Sequence, residues 1–200
     1  MPAVPYGARI GLLVALCLGI AAYDRLRHGP ASRRWKEYLF ILLGAVVGAL
    51  FGGLNDFFIT SRLSPEYFRW GKGIAPGEGF EGRVLLLGLQ AGCGPGALTA
   101  CVFLFSNSRR REPLPWTRLT AFLAIPVLAA VAAALSLPPL ASEWDPLGLR
   151  RSLGDEQGRR FLRVWWIHLS HYAGALLGLA LGTLGILRSA PNLSRRFGYF

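Results

Sequence analysis

The chain has 200 residues, 52% of them hydrophobic and 16% charged, with a formal net charge of +11 and a mean hydropathy of +0.39. That is too apolar for an ordinary soluble domain, and the charges cluster between apolar runs near the ~20 residues that cross ~30 Å of hydrocarbon. The basic excess does not point to nucleic acid, because Lys and Arg flank the apolar runs, as membrane topology requires.

Five spans follow in chain order, and the fold expected is an all-α polytopic bundle in one integral membrane domain, residues 1–200. The first run, 10–23, is short enough to pass for a signal-peptide core with Gly19-Ile20-Ala21 as a cleavage site. Arg25, Arg27, Arg33, Arg34 and Lys36 follow it and only Arg9 precedes it, which favours a retained helix with its N-terminus outside. The second span is 38–59. The third, 84–105, is interrupted by Gln90 and Gly94-Pro95-Gly96. The fourth, 119–137, carries Pro126 and ends at Pro138-Pro139. The fifth, 161–187, contains His168, Ser170, His171 and Tyr172.

Charge counting sets the orientation. The segments 24–37, 107–118 and 188–200 hold 12 Lys/Arg and 3 Asp/Glu, whereas 1–9, 55–83 and 137–160 hold 9 and 8. The first set is therefore the inner one, and the chain runs N-out and C-in in a cell membrane. Cys17, Cys93 and Cys101 lie inside apolar runs, with neither zinc nor disulfide spacing, and read as small hydrophobes.

Polar residues at the outer edge of the second span mark the candidate site. Gly44, Gly48 and Gly52 form a strip at fourfold spacing, and so do Gly174, Gly178 and Gly182 in the fifth span. Such strips let helix backbones approach closely in lipid. Antiparallel pairing of the two would set Gly52 against Gly174 and bring Asn55 and Asp56 to His168 and His171, with Gln90 at similar depth. Beyond them, the outer loop 60–83 begins with Thr60, Arg62 and Ser64-Pro65-Glu66-Tyr67-Phe68. There Pro65 would open a short helix, Arg62 would pair with Glu66 one turn on, and Tyr67, Phe68 and Trp70 would sit in an interfacial belt. In the outer loop before the fifth span, Asp155 would cap a helix start.

Three readings of the cluster compete. It is a self-satisfied polar network pinning helices together, a proton- or solute-handling site, or a metal site with His168, His171, Asp56 and Glu66 as ligands. The histidine spacing of three differs from the i, i+4 of the zinc-binding helix. No nucleotide-binding glycine loop and no Gly-x-Ser-x-Gly elbow is present.

Arg34-Trp35-Lys36-Glu37-Tyr38-Leu39-Phe40, Phe51-Gly52 with Asn55-Asp56, Ile59-Thr60, Ser64-Pro65-Glu66-Tyr67-Phe68 and His168-Leu169-Ser170-His171-Tyr172 resemble a family of small uncharacterised bacterial multi-pass membrane proteins. The likeness covers roughly half the chain and leaves out the first span. This chain has Asn55 where the pattern often has His, and Phe57 where it often has Gln. The resemblance implies a membrane site and no particular activity. The function expected is a non-enzymatic binding or assembly component, with the bilayer, a membrane-protein partner or further copies of the chain as its partners. The alternatives are a membrane-embedded metal-dependent enzyme and a small proton-linked transporter acting as an oligomer.

Overall fold

A computed structural model describes residues 6–29, 32–141 and 143–189. It is all-α, with no strand among the described residues. Helix α1 spans Tyr6–His28 and α2 Arg34–Asn55; a π turn, Asp56–Thr60, and a final turn, α3 Ser61–Leu63, prolong α2 without a break. Then come α4 Pro65–Lys72, α5 Phe80–Ser108, α6 Trp116–Phe122, α7 Ala124–Ala141, α8 Leu149–Leu153 and α9 Asp155–Arg188. Four stretches are long and apolar enough to cross a membrane: Arg34–Leu63, Phe80–Ser108, Trp116–Pro139 and Asp155–Arg188. They match the second to fifth expected spans.

The chain forms two helix pairs, α2 with α5 and α7 with α9. The strip pairing expected from spacing, Gly44–Gly48–Gly52 on Gly174–Gly178–Gly182, does not form. Helix α5 carries its own strip at the same spacing, Gly88, Gly92 and Gly96, and α2 packs backbone to backbone against that. A Cβ at Gly44 would lie 2.6 Å from the Gly96 carbonyl oxygen, and one at Gly92 would lie 2.6 Å from the Gly48 carbonyl carbon. Short residues are required there because each helix approaches the other's main chain. Gly174 and Gly178 instead receive α7 at Ala129, Ala130 and Pro126, and Gly182 receives the Phe103 ring of α5.

Proline places one break. Pro126 has no N–H for the Phe122 carbonyl and crowds it, and α6 stops at Phe122 with α7 restarting at Ala124. The expected stop at Pro138-Pro139 is not observed, since α7 continues to Ala141. The lost bonds fall in its last turns, where the chain has little helix left to disrupt. Asp155 is not the cap of α9. Gly154, with φ +85°, takes that position, and the Asp155 carboxylate pairs with Arg150 at 2.7 Å and with Arg159. Helix α9 is about 51 Å long at 1.5 Å per residue, well beyond the ~30 Å hydrocarbon layer, so its charged first turns project past any span.

At the opposite end α9 is held by an arginine. The guanidinium of Arg110, in the α5–α6 connection, donates to the main-chain oxygens of Ile186, Leu187 at 3.3 Å and Ser189 at 2.8 Å. The last carbonyls of a helix lack intrahelical partners and carry partial negative charge, which a cation satisfies. Replacing Arg110 by Ala is expected to lower stability by about 1–2 kcal/mol. Denaturant titration in detergent would check it, and Arg111→Ala serves as the comparison.

Two cores close the ends of the molecule. One joins Phe40, Ala100, Phe103, Leu119, Leu123 and Ile186; the other joins Tyr67, Phe68, Val84, Phe161 and Val164. Tyr67 and Phe68, expected at an interfacial belt, are therefore buried, at 6% and 0% exposure, and of the three aromatics only Trp70 is open. The Ser64-Pro65 start of α4 follows the expectation: Pro65 is the first helical residue and the Ser64 hydroxyl accepts from the Tyr67 N–H at 3.2 Å. The expected Arg62–Glu66 pair is absent, because extended Ser64 (φ −151°, ψ 94°) breaks the helical repeat between them. Arg62 lies over the Phe58 ring, and Glu66 accepts from the Ser64 hydroxyl.

Candidate functional site

The site begins with the π turn. The Ser61 N–H reaches back five residues to the Asp56 carbonyl, which widens the helix by one residue at this turn. Such bulges are frequent where a helix must re-aim a side chain. Here Asp56 points inward between the two helix pairs. Its Oδ1 accepts from Asn55 Nδ2 at 3.0 Å and from Thr60 Oγ1 at 3.1 Å, and it lies 3.0 Å from His168 Nε2 of α9. The pair is deeply placed, with side-chain exposures of 8% for Asp56 and 14% for His168.

The second ring nitrogen of His168 settles where a proton must be. His168 Nδ1 lies 2.9 Å from the Val164 carbonyl oxygen, which can only accept, so Nδ1 carries hydrogen. The Nε2–Oδ1 contact then needs a proton of its own. Either an imidazolium faces a carboxylate, or a neutral imidazole accepts from a protonated carboxyl. In both forms the pair has no net charge, which is what a weakly polar interior tolerates.

Tyr67 covers the other face of His168. The rings stack with centroids 4.8 Å apart and 16° between planes, and the Lys72 ammonium lies 5.8 Å from the Tyr67 ring. Burial first, then the nearby Tyr172 and Asp56, push the Tyr67 phenol up from its ordinary 10 to about 12. Because the folded value lies above the unfolded one, stability is complete below pH 10 and falls as pH rises from there towards 12. Tyr67→Phe is expected to flatten that fall, read from melting temperature against pH beside the unmodified chain.

Below the pair, between the helix pairs, lies a cavity of about 130 Å³. Its walls are mostly glycine and aliphatic side chains, and its polar end is formed by Asn55, Asp56, His168, His171 and Tyr172. His171 sits edge-on to Phe51, with ring centroids 5.0 Å apart. Neither of its ring nitrogens has a hydrogen-bond partner among the described residues.

The structure thus brings together Asn55, Asp56, Thr60, Tyr67 and His168, and puts His171 at the cavity beside them. Glu66 and Arg62 lie outside the cluster, each held as described above, and Gln90, half-buried on α5, does not line the cavity. Among the described residues no three His, Cys, Asp or Glu side chains converge as metal ligands. Sequence reasoning missed Phe51, Tyr172 and the Val164 carbonyl as parts of the site. Tyr172 could have been found from its place beside His171; the other two depend on packing. Compared with protein-family profiles, curated proteins and solved structures, the chain matches none.

Proposed function

We propose that this chain is an integral membrane protein of five spans, N-out and C-in in a bacterial cytoplasmic membrane, that binds a small membrane-dissolved molecule in the cavity between its helix pairs. The charge bias of the connecting segments supports the orientation. The resemblance carried by Asn55-Asp56, Ser64-Pro65-Glu66-Tyr67-Phe68 and His168–Tyr172 supports the placement of the site. One observation carries the binding reading: an apolar cavity whose polar end holds an imidazole, His171, with no hydrogen-bond partner for either nitrogen among the described residues. Ionisable groups at membrane depth are costly and mark functional sites. A self-contained pin between helices would leave no such group facing open space.

The experiment is intact-mass analysis of the protein released from bilayer nanodiscs. The unmodified chain is expected to carry a small-molecule adduct, and Ala175→Phe, which fills the cavity from α9, is expected to lose it while still folding. An unmodified chain free of any adduct, before and after addition of membrane extract, would end the binding reading. Flux across proteoliposomes under a pH gradient addresses the alternative in which the Asp56–His168 proton drives transport. Activity assays with added divalent metal address the enzyme alternative.

A further inference from the structure

The occupant's chemistry can be narrowed from the polar atoms that the protein leaves unused. All three hydrogen bonds of the Asp56 carboxyl are made at Oδ1, and Oδ2 has no partner among the described residues. Asp56 lines the cavity and is 6% exposed as a residue, and a carboxyl oxygen facing a mostly apolar space is costly without a donor. Three residues along α9 from His168, the His171 ring offers both a donor and an acceptor, according to its tautomer. The cavity's polar end therefore presents an unfilled acceptor beside an unfilled donor.

Charge narrows it further. Among the described residues no Lys or Arg lines the cavity, and the Asp56–His168 pair is neutral wherever its proton sits. An anionic head would set a second negative oxygen against Oδ2 with no cation to compensate. An ammonium would bring an uncompensated positive charge into a weakly polar space, at a large desolvation cost. A ketone or quinone oxygen only accepts: it takes a hydrogen bond from His171 or from the Tyr172 hydroxyl and brings no donor of its own for Oδ2. A hydroxyl donates and accepts, carries no charge, and satisfies both groups at once.

Shape fixes the rest of the molecule. The helix pairs meet at their two ends, through Phe103 on Gly182 and through Tyr67 on His168, and the cavity lies between these closures. Its wall includes Ala91 and Pro95 of α5 and Tyr172 of α9, all three exposed on the outside of the bundle, Tyr172 at 52%. The cavity therefore reaches the side of the molecule midway along spanning helices, where the surroundings are lipid. At about 130 Å³ it is smaller than the ~300 Å³ of pockets that enclose a whole drug-sized ligand. It takes a head and a few carbons, with the remaining chain outside.

We infer that the occupant is an uncharged alcohol on a flexible apolar chain, drawn sideways from the bilayer. Its hydroxyl donates to Asp56 Oδ2 and accepts from the His171 ring N–H, and its first carbons lie along the glycine and alanine walls. This rests on the binding reading above and names the ligand class for the same cavity.

The test uses the full chain in phosphatidylcholine nanodiscs, titrated separately with 1-dodecanol, dodecanoate, dodecylammonium and dodecane. Intact-mass adducts and the shift in melting temperature are read together. Dodecanol is expected to bind one per chain and to raise the melting temperature with concentration. The other three are expected to bind about tenfold more weakly or worse, the difference one well-placed hydrogen bond makes. His171→Phe keeps a ring edge on Phe51 and is expected to weaken dodecanol about tenfold, with the ligand-free melting temperature unchanged. His171→Gln keeps a donor and is expected to retain more of the affinity than the Phe variant. Tighter binding of dodecanoate, dodecylammonium or dodecane than of dodecanol overturns the alcohol assignment and leaves the binding reading standing. Equal dodecanol binding by His171→Phe also overturns the assignment. Absence of adduct and of any temperature shift with all four probes overturns both.

Discussion

Gly92→Ala is expected to cost the fold about 3 kcal/mol, as severe overpacking does, while Gly94→Ala, two residues further along the same helix, costs nothing. The added Cβ at Gly92 would fall within 2.6 Å of the Gly48 carbonyl carbon and 3.1 Å from the Ala49 nitrogen. Those are main-chain atoms of α2, fixed by its hydrogen-bond ladder, so no side chain can turn aside to make room. The helices would have to separate along the whole strip and lose dispersion contacts at Gly44, Gly48 and Gly52 together. At Gly94 a Cβ meets nothing within 4 Å, and Ala improves helix propensity by up to about 1 kcal/mol. Gly182→Ala should fall between them, because its Cβ meets the far edge of the Phe103 ring, a side chain that can shift. Equilibrium unfolding in mixed detergent micelles gives the three values. A Gly92 variant as stable as the Gly94 variant would mean that α2 and α5 do not touch along this strip. The cavity wall they build would then be lost as well.

The four helices long and apolar enough to cross a membrane were legible because apolar runs of that length bounded by charge have one comfortable solution in lipid. Their partners were less so. Small residues every four positions announce a flat face without naming its neighbour, and α5 hid its own strip behind the more conspicuous Gly94-Pro95-Gly96. The candidate site nevertheless emerged near the place foreseen, though for a different reason. Asp56 and His168 do not meet because Gly52 opposes Gly174; they meet because buried polar groups on apolar helices can be satisfied only by each other. That rule holds whatever the register. The π turn could not be seen, since one extra residue per turn leaves no mark on a hydrophobic pattern as short as Asp56–Thr60. Nor could the fold-back that buries Tyr67, because its aromatic neighbours suit an interface and a core equally well.

Asp56→Ala is expected to destabilise the protein by about 3–5 kcal/mol, the cost of breaking one side of a buried pair. Removing the carboxyl group leaves Asn55 Nδ2, Thr60 Oγ1 and His168 Nε2 without their common partner. His168→Ala is expected to cost nearly as much, since it strips Asp56 of its proton-sharing partner and Tyr67 of its stacked ring. The informative variant is the double one. If the two residues act as a unit, Asp56→Ala combined with His168→Ala should cost clearly less than the sum of the singles, with a coupling of about 1.5–3 kcal/mol. Asp56→Leu with His168→Phe goes further, replacing the pair by apolar groups of similar size; it should recover much of the lost stability, because no unsatisfied charge remains. The same double variant is expected to weaken dodecanol binding about tenfold or more. Stability and binding would then part: a fold that survives on apolar contacts alone, and a cavity with no carboxyl oxygen left to receive a hydroxyl. Additive single and double values would instead mean that Asp56 and His168 are each held by their own helix and only happen to lie side by side.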